Sequence, residues 1–235
     1  MKILLTGGAG YIGSTIANAC VDQGIEPIIL DDFSKGRRDW AAEHTFYEGD
    51  VADGALIDSI FAQHPDISAV IHCAAKIVVP ESVEQPVDYY ANNVGKGISM
   101  LQHLRRNGCE RIIFSSSASI YSVSADFTVD ENSAVAPTSP YANSKAIFEN
   151  VLRDGAAAGE FRAIALGIST RSAPTRSCAP ACRTRCPATF WASWLPRHAP
   201  AFRSPSPAWT GRPGMGPASA TSSTCGISRS RTSPP

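Results

Sequence analysis

Tyr141 and Lys145 stand four positions apart in the run Tyr141-Ala142-Asn143-Ser144-Lys145. On a helix that spacing puts both side chains on one face. An ammonium group there would draw the phenol pKa down from about 10 towards neutrality, and a tyrosinate can then act as a general base. Upstream, Ser115-Ser116-Ser117 closes an apolar run. A hydroxyl delivered from Ser117 to the same cleft could hydrogen-bond a substrate's reacting oxygen. Each feature has a plain alternative: a solvated helix with an incidental Tyr and Lys, and a serine turn at a strand end. Their weight is joint.

A second constellation lies at the other end of the chain. Gly7, Gly10 and Gly13 are spaced by three, directly after the apolar run Ile3-Leu4-Leu5 and at the opening of a helical stretch. Glycines permit a tight turn and let the backbone approach a pyrophosphate, which the free N–H groups and positive dipole of a helix N-terminus favour. A turn alone would also use glycine. The context is stronger: Asp31 closes the next apolar run, 18 residues after Gly13, where an acid binds the ribose hydroxyls of an adenine dinucleotide. An acid there favours NAD over NADP, because it would repel a ribose phosphate. Taken alone, Asp31 reads equally as a turn acid, and so does Asp50, which precedes Val51 after a third candidate strand.

These residues need a scaffold that holds them at strand ends. Strands are expected at 3–5, 28–30, 46–50, 69–74, 111–115 and 161–166, with helices at 12–23, 54–64, 86–107 and 140–157. Strands alternating with helices predict an α/β fold, a Rossmann-type doubly wound parallel sheet.

Together the motifs resemble the extended short-chain dehydrogenase/reductase superfamily. Finer strings resemble its UDP-glucose 4-epimerases: Thr6-Gly7-Gly8-Ala9-Gly10-Tyr11-Ile12-Gly13-Ser14, the segment from Glu81-Ser82-Val83 to Tyr89-Tyr90, Asn92-Asn93-Val94, Ser115-Ser116-Ser117-Ala118 and Ser139-Pro140-Tyr141. The resemblance covers residues 1–166. It implies Ser117, Tyr141 and Lys145 as the catalytic set. It also implies an NAD site made of Gly7, Gly10, Tyr11, Ile12, Gly13, Asp31, Asp32, Phe33, Ser34, Lys35, Gly36, Asp50, Val51, Cys73, Ala74, Ala75, Lys76 and Asn93, with Ser117, Tyr141 and Lys145 contributing, and no metal. Dehydratases of the superfamily carry an Asp-Glu pair just after the strand-end Ser or Thr. Here Ala118 and Ser119 stand there, which favours epimerisation over water elimination. Two positions depart from the pattern: Ile77 stands where the family often has Lys, with Lys76 adjacent, and Ser122 replaces a usual Gly.

Composition divides the chain near Leu166. Residues 1–166 hold all 21 acidic residues and 12 of the 21 Lys and Arg, a balance of −9. Residues 167–235 hold nine Arg and no acid, with 11 of the 17 prolines, no Val and one Leu, Leu195. Such a segment buries too little apolar surface to offset its ordering entropy, so no independent fold is expected there. Cys178, Cys182 and Cys186 suggest a metal or cluster site, and the Ser/Arg/Pro bias suggests an RNA-binding tail. A shifted reading frame explains the segment better. Codons for Gly167 to Arg176, read one base out of phase, can spell Arg-Tyr-Phe-Asn-Pro-Ile-Gly-Ala-Asp-Pro, the string the family carries at this point. Gly211 to Arg229, shifted the same way, can spell a second family string. The domains expected are therefore 1–166, an NAD-binding domain, and 167–235, an out-of-frame tail in place of the substrate domain.

The function that follows is interconversion of UDP-glucose and UDP-galactose through transient oxidation at C4, with the chain as written expected to be inactive. The alternatives are an epimerase acting on UDP-glucuronate or a UDP-N-acetylhexosamine, or a non-catalytic NAD-binding module. Expected partners are a UDP-sugar and a second copy of the intact enzyme, with no nucleic acid or membrane. Lys2-Ile3-Leu4-Leu5 stops at Thr6-Gly7, too short for a signal peptide's apolar core. With Cys20, Cys73 and Cys109 isolated among apolar neighbours, a cytoplasmic protein is expected.

Overall fold

Short apolar runs that are buried on both faces become parallel strands, and Ile3-Leu4-Leu5, Ile28-Ile29-Leu30 and Val70-Ile71 are of this kind. The computed structural model describes residues 1–122, 129 and 132–168, all within one compact unit. The order is β1 (Lys2–Thr6), α1 (Tyr11–Asp22), β2 (Glu26–Asp31), α2 (Arg38–Ala41), β3 (Thr45–Glu48), α3 (Gly54–Gln63), β4 (Ile67–His72), α4 (Val79–Glu84), α5 (Pro86–Tyr90), a π turn (Ala91–Gly95), α6 (Lys96–Arg106), β5 (Arg111–Ser117), a 3₁₀ turn (Ala118–Ile120), α7 (Pro140–Ala157) and β6 (Arg162–Ile168).

The sheet runs β3-β2-β1-β4-β5-β6, every pair parallel. Leu4 of β1 sits between Ile28 of β2 and Val70 of β4. The chain winds one way from β1 to β3 and the other way from β4 to β6. The reversal opens a crevice at the carboxyl ends of β1 and β4, where ligands bind in such sheets. Beneath it lies a core that includes Leu4, Ile28, Ile57, Val70, Leu101, Ile112, Phe114 and Phe148. Two of the helices that follow strands begin at side-chain caps. Asp53 caps α3 by accepting from Leu56 N at 3.1 Å. Ser139 caps α7 by accepting from Ala142 N at 3.2 Å, with Pro140 at the first helical position.

The structure differs from expectation in several places. The helix expected over 86–107 is interrupted by the π turn, the local form in which a side chain often breaks into the helical ladder. Two short helices, α2 and α4, were not expected. The fourth strand ends at His72 rather than Ala74, because Cys73 N turns to donate to Thr6 O at 2.9 Å. β6 continues to Ile168, pairing Gly167 with Ser116 and Ile168 with Ser117, two residues past the expected boundary. The expectations for Cys178, Cys182, Cys186 and the arginine-rich segment lie outside the described residues. Among the described residues no helix is long and apolar enough to cross a membrane, and no group of three His, Cys, Asp or Glu side chains could hold a metal ion.

Candidate active site

The turn between β1 and α1 is shaped by close backbone approach. Gly7 takes φ +70°, a region that disfavours side chains, and a Cβ there would lie 2.6 Å from Ala74 N. A Cβ on Gly13 would lie 2.2 Å from Gly7 O. Gly10 is different. It precedes α1 as its N-cap, no side chain caps the helix, and a Cβ there meets only Gly7 O at 3.3 Å. An uncapped helix N-terminus behind an open glycine is the shape a pyrophosphate needs. Gly13→Ala is expected to lower stability by about 1–2 kcal/mol, because backbone must move to admit the methyl. Urea unfolding reads this, and an unchanged midpoint would show that the turn gives way freely.

Asp31 ties this turn to the next loop. Its Oδ2 accepts from Ala9 N and its Oδ1 from Phe33 N, both at 2.9 Å. Burial pushes the carboxyl up, Asp32 adds to that, and the Phe33 and Ala9 N–H groups oppose it. The loop Asp32-Phe33-Ser34-Lys35-Gly36 folds back over it. Ser34 N and Oγ both donate to Asp32, at 2.9 and 2.7 Å, and a Cβ on Gly36 would lie 2.7 Å from Asp31 Oδ1. Phe33 adopts φ +54°, a costly conformation for a bulky side chain. Its ring lies under the Arg38 guanidinium at 4.4 Å and edge-on to Phe46 at 5.7 Å. Beyond β3, Asp50 accepts from Ala52 N at 2.9 Å and pairs with Lys96. Burial raises the Asp50 carboxyl, but those two donors outweigh it and leave it below the usual range.

Cys73, Ala74, Ala75 and Lys76 leave β4 along the crevice floor. Burial pushes the Cys73 thiol up to about 11, with Lys145 and Ser115 opposing. The backbone of Lys76 is gripped at both ends by Asn93, whose Oδ1 accepts from Lys76 N at 2.8 Å and whose Nδ2 donates to Lys76 O at 3.0 Å. The Lys76 side chain turns to Glu81 at 3.9 Å and lies over the Tyr89 ring. Neighbouring Ile77 is 65% exposed.

Ser117 ends β5, Tyr141 is the second residue of α7, and Lys145 follows one turn later. Lys145 is 3% exposed and its Nζ donates to Ser115 O at 2.9 Å, above the Phe114 ring at 4.7 Å. Burial brings it down to about 8, with Cys73 and Glu149 opposing. The phenol of Tyr141 moves the opposite way from expectation. Burial pushes it up, and a hydrogen bond with Ser117 holds it partly down. The ammonium group expected to lower it is instead committed to the strand carbonyl below. Helical spacing brought Tyr141 and Lys145 to one side of α7 but did not reveal how deeply each is buried.

Several residues around the site were given no role in the sequence. His72 is fully buried, its Nδ1 2.7 Å from Thr6 Oγ1, its ring stacked on Phe114. Burial and Lys145 push it down to about 3. The signal was available: a lone histidine inside the apolar run Val70-Ile71-His72-Cys73. Tyr90 Oη accepts from Asn143 Nδ2 at 2.8 Å, joining α5 to α7, and Ser144 joins α7 to the π turn.

Comparison with known proteins agrees with this geometry. Residues 3–190 match the NAD dependent epimerase/dehydratase family. The UDP-glucose 4-epimerase of Azospirillum brasilense is 40% identical over 166 residues, covering 70% of this chain and 47% of that protein. The crystal structure of UDP-glucose 4-epimerase from Brucella ovis in complex with NAD superposes with a TM-score of 0.67 at 38% identity, covering 71% of this chain and 51% of that one. The enzyme from Bifidobacterium longum, in complex with NAD+ and UDP, gives 0.66 at 30% identity, covering 71% and 52%. The chain spans about half the length of the relatives it matches.

Proposed function

The chain belongs to the NAD dependent epimerase/dehydratase family, and from that premise we propose that it carries the cofactor half of a UDP-glucose 4-epimerase. NAD is the cofactor. The observation that carries the reading is that one segment touches both constellations. Ala74 lies against Gly7 in the glycine turn, and adjacent Cys73 lies beside Ser115 and Lys145. The dinucleotide turn and the Ser117–Tyr141–Lys145 set therefore share one crevice.

In this reading the uncapped start of α1, with Tyr11 and Ile12, holds the pyrophosphate of NAD, Asp31 and the loop to Gly36 hold the adenosine ribose, and Asp50-Val51 flank the adenine. When bound, NAD reversibly accepts a hydride from the sugar C4. Tyr141 takes the proton of the sugar 4-hydroxyl and later returns it. Ser117, hydrogen-bonded to that phenol, steadies the oxygen during transfer. Lys145, anchored on Ser115 O, stands beside the nicotinamide ribose. The 3₁₀ turn after Ser117 offers Ala118 and Ser119, with Ser119 Oγ 2.9 Å from Ser117 Oγ. Neither is an acid that could expel water, which supports epimerisation. Ile98 of α6 and Val151 of α7 line a hollow between the two helices, which supports a homodimer of the intact enzyme.

Restoring one base near the Leu166 codon tests the whole reading. The 235-residue chain is expected to bind NAD without turning over UDP-galactose, and the restored protein to turn it over and sediment as a dimer. A restored protein that binds NAD yet leaves UDP-galactose untouched would sink the substrate assignment. Turnover by the unrestored chain would sink the frame assignment.

A further inference from the structure

Ser144 sits inside the Tyr141–Lys145 motif, is fully buried, and uses its hydroxyl twice. Its Oγ donates to the Tyr141 carbonyl oxygen at 2.7 Å and accepts from Asn93 Nδ2 at 3.1 Å. The first bond runs from residue i back to i−3, an extra bond to a carbonyl in the opening turn of α7. The second passes to a side chain with nothing left to give. Besides Ser144, Asn93 binds both backbone groups of Lys76 and accepts from Asn92 Nδ2 at 3.0 Å. An asparagine amide has two donors and two acceptor lone pairs, and all four are occupied by protein. Asn93 therefore shapes the cleft rather than offering it a free valence.

One unbroken buried chain of hydrogen bonds thus links the loop after β4, the π turn and the first turn of α7. In a low-dielectric interior such a chain is rigid when every member is satisfied. We propose that Ser144 is a positioning residue. By tying the Tyr141 carbonyl to Asn93, it fixes the rotation of the first turn of α7, and with it the hydrogen bond between the Tyr141 phenol and Ser117. The inference rests on the reading of Tyr141 as the proton-carrying group, but its test needs no substrate and no NAD.

The test measures coupling in the full 235-residue chain. Fluorotyrosine is incorporated to bring phenol ionisation to lower pH, and the Tyr141 fluorine resonance is assigned by its loss in Tyr141→Phe. Ser117→Ala removes a hydrogen bond that holds the phenol down, so it raises the Tyr141 midpoint. In a Ser144→Ala background the same change is expected to have less than half that effect. Ser144→Thr retains the hydroxyl and is expected to preserve the full effect. A serine that served only overall stability would leave the coupling intact. An undiminished Ser117 effect in Ser144→Ala overturns the proposal, as does a Ser144→Thr chain that behaves like Ser144→Ala. Should Ser144→Ala fail to fold by circular dichroism, Ser144→Cys takes its place, since a thiol of similar shape is a poor acceptor. Failure here with normal loss of turnover in Tyr141→Phe would reject the positioning role alone.

Discussion

Tyr141→Phe in the frame-restored protein is expected to lower kcat by roughly 10²–10⁴-fold, the contribution of a positioned general base. The change removes one oxygen and keeps the ring, which is half-buried at the start of α7, so the fold should survive. In the proposed reaction hydride cannot leave the sugar C4 productively while its hydroxyl proton stays, so the loss falls on kcat. NAD retention should change little, because in the proposed site the phenol is one contact among many. Lys145→Met is the contrasting variant. It removes an ammonium anchored on Ser115 O and, with it, the proposed ribose contact, so NAD binding should weaken together with turnover. Near-normal turnover in Tyr141→Phe accompanied by loss of NAD would invert the assigned roles.

The second large effect is acid lability through His72. Its pKa is held down to about 3 by burial and by Lys145, against about 6.5 in an unfolded chain. Between those values the unfolded state binds more protons than the folded one, so stability falls as pH falls. The contribution is intact above pH 6.5 and declines through the window below it. At pH 4.5 the loss should reach roughly 2–3 kcal/mol. Urea unfolding of the wild-type chain and of His72→Gln at pH 7 and 4.5 measures it. The amide can keep a hydrogen bond to Thr6 but does not titrate, so the variant should lose that much less stability on acidification. Equal acid sensitivity in the two chains would show that other groups govern it. Lys145, lowered to about 8, follows the same sign in a separate window, with stability rising as pH climbs from there towards its unfolded value.

Much of the scaffold could be read from the chain because its strands are buried on both faces. Ile3-Leu4-Leu5, Ile28-Ile29-Leu30 and Val70-Ile71 are continuous apolar runs, and each became a strand. Elements decided by tertiary contacts were not legible. The π turn depends on Asn93 finding the backbone of Lys76 across 17 residues, and no local propensity encodes that. α2 and α4, four and six residues long, are too short to show helical periodicity. In the candidate site the residue types and their spacing were readable, while their electrostatics were not. The Tyr141–Lys145 spacing says nothing of the Ser115 carbonyl that claims the ammonium, nor of the burial that raises the phenol.

The pairing of β1 also sets a timetable for synthesis. Its partner on one side, β2, follows within a single helix, but Leu4 meets Val70 on the other side 66 residues later. At ribosomal speeds of about 5–20 residues per second, this central strand waits roughly 3–13 seconds with one edge unpaired. During that interval the nascent chain presents an open template to other strands. Chaperone demand should therefore peak before β4 emerges, and conditions that slow elongation between β3 and β4 should lower the yield of soluble protein more than equal slowing after β5.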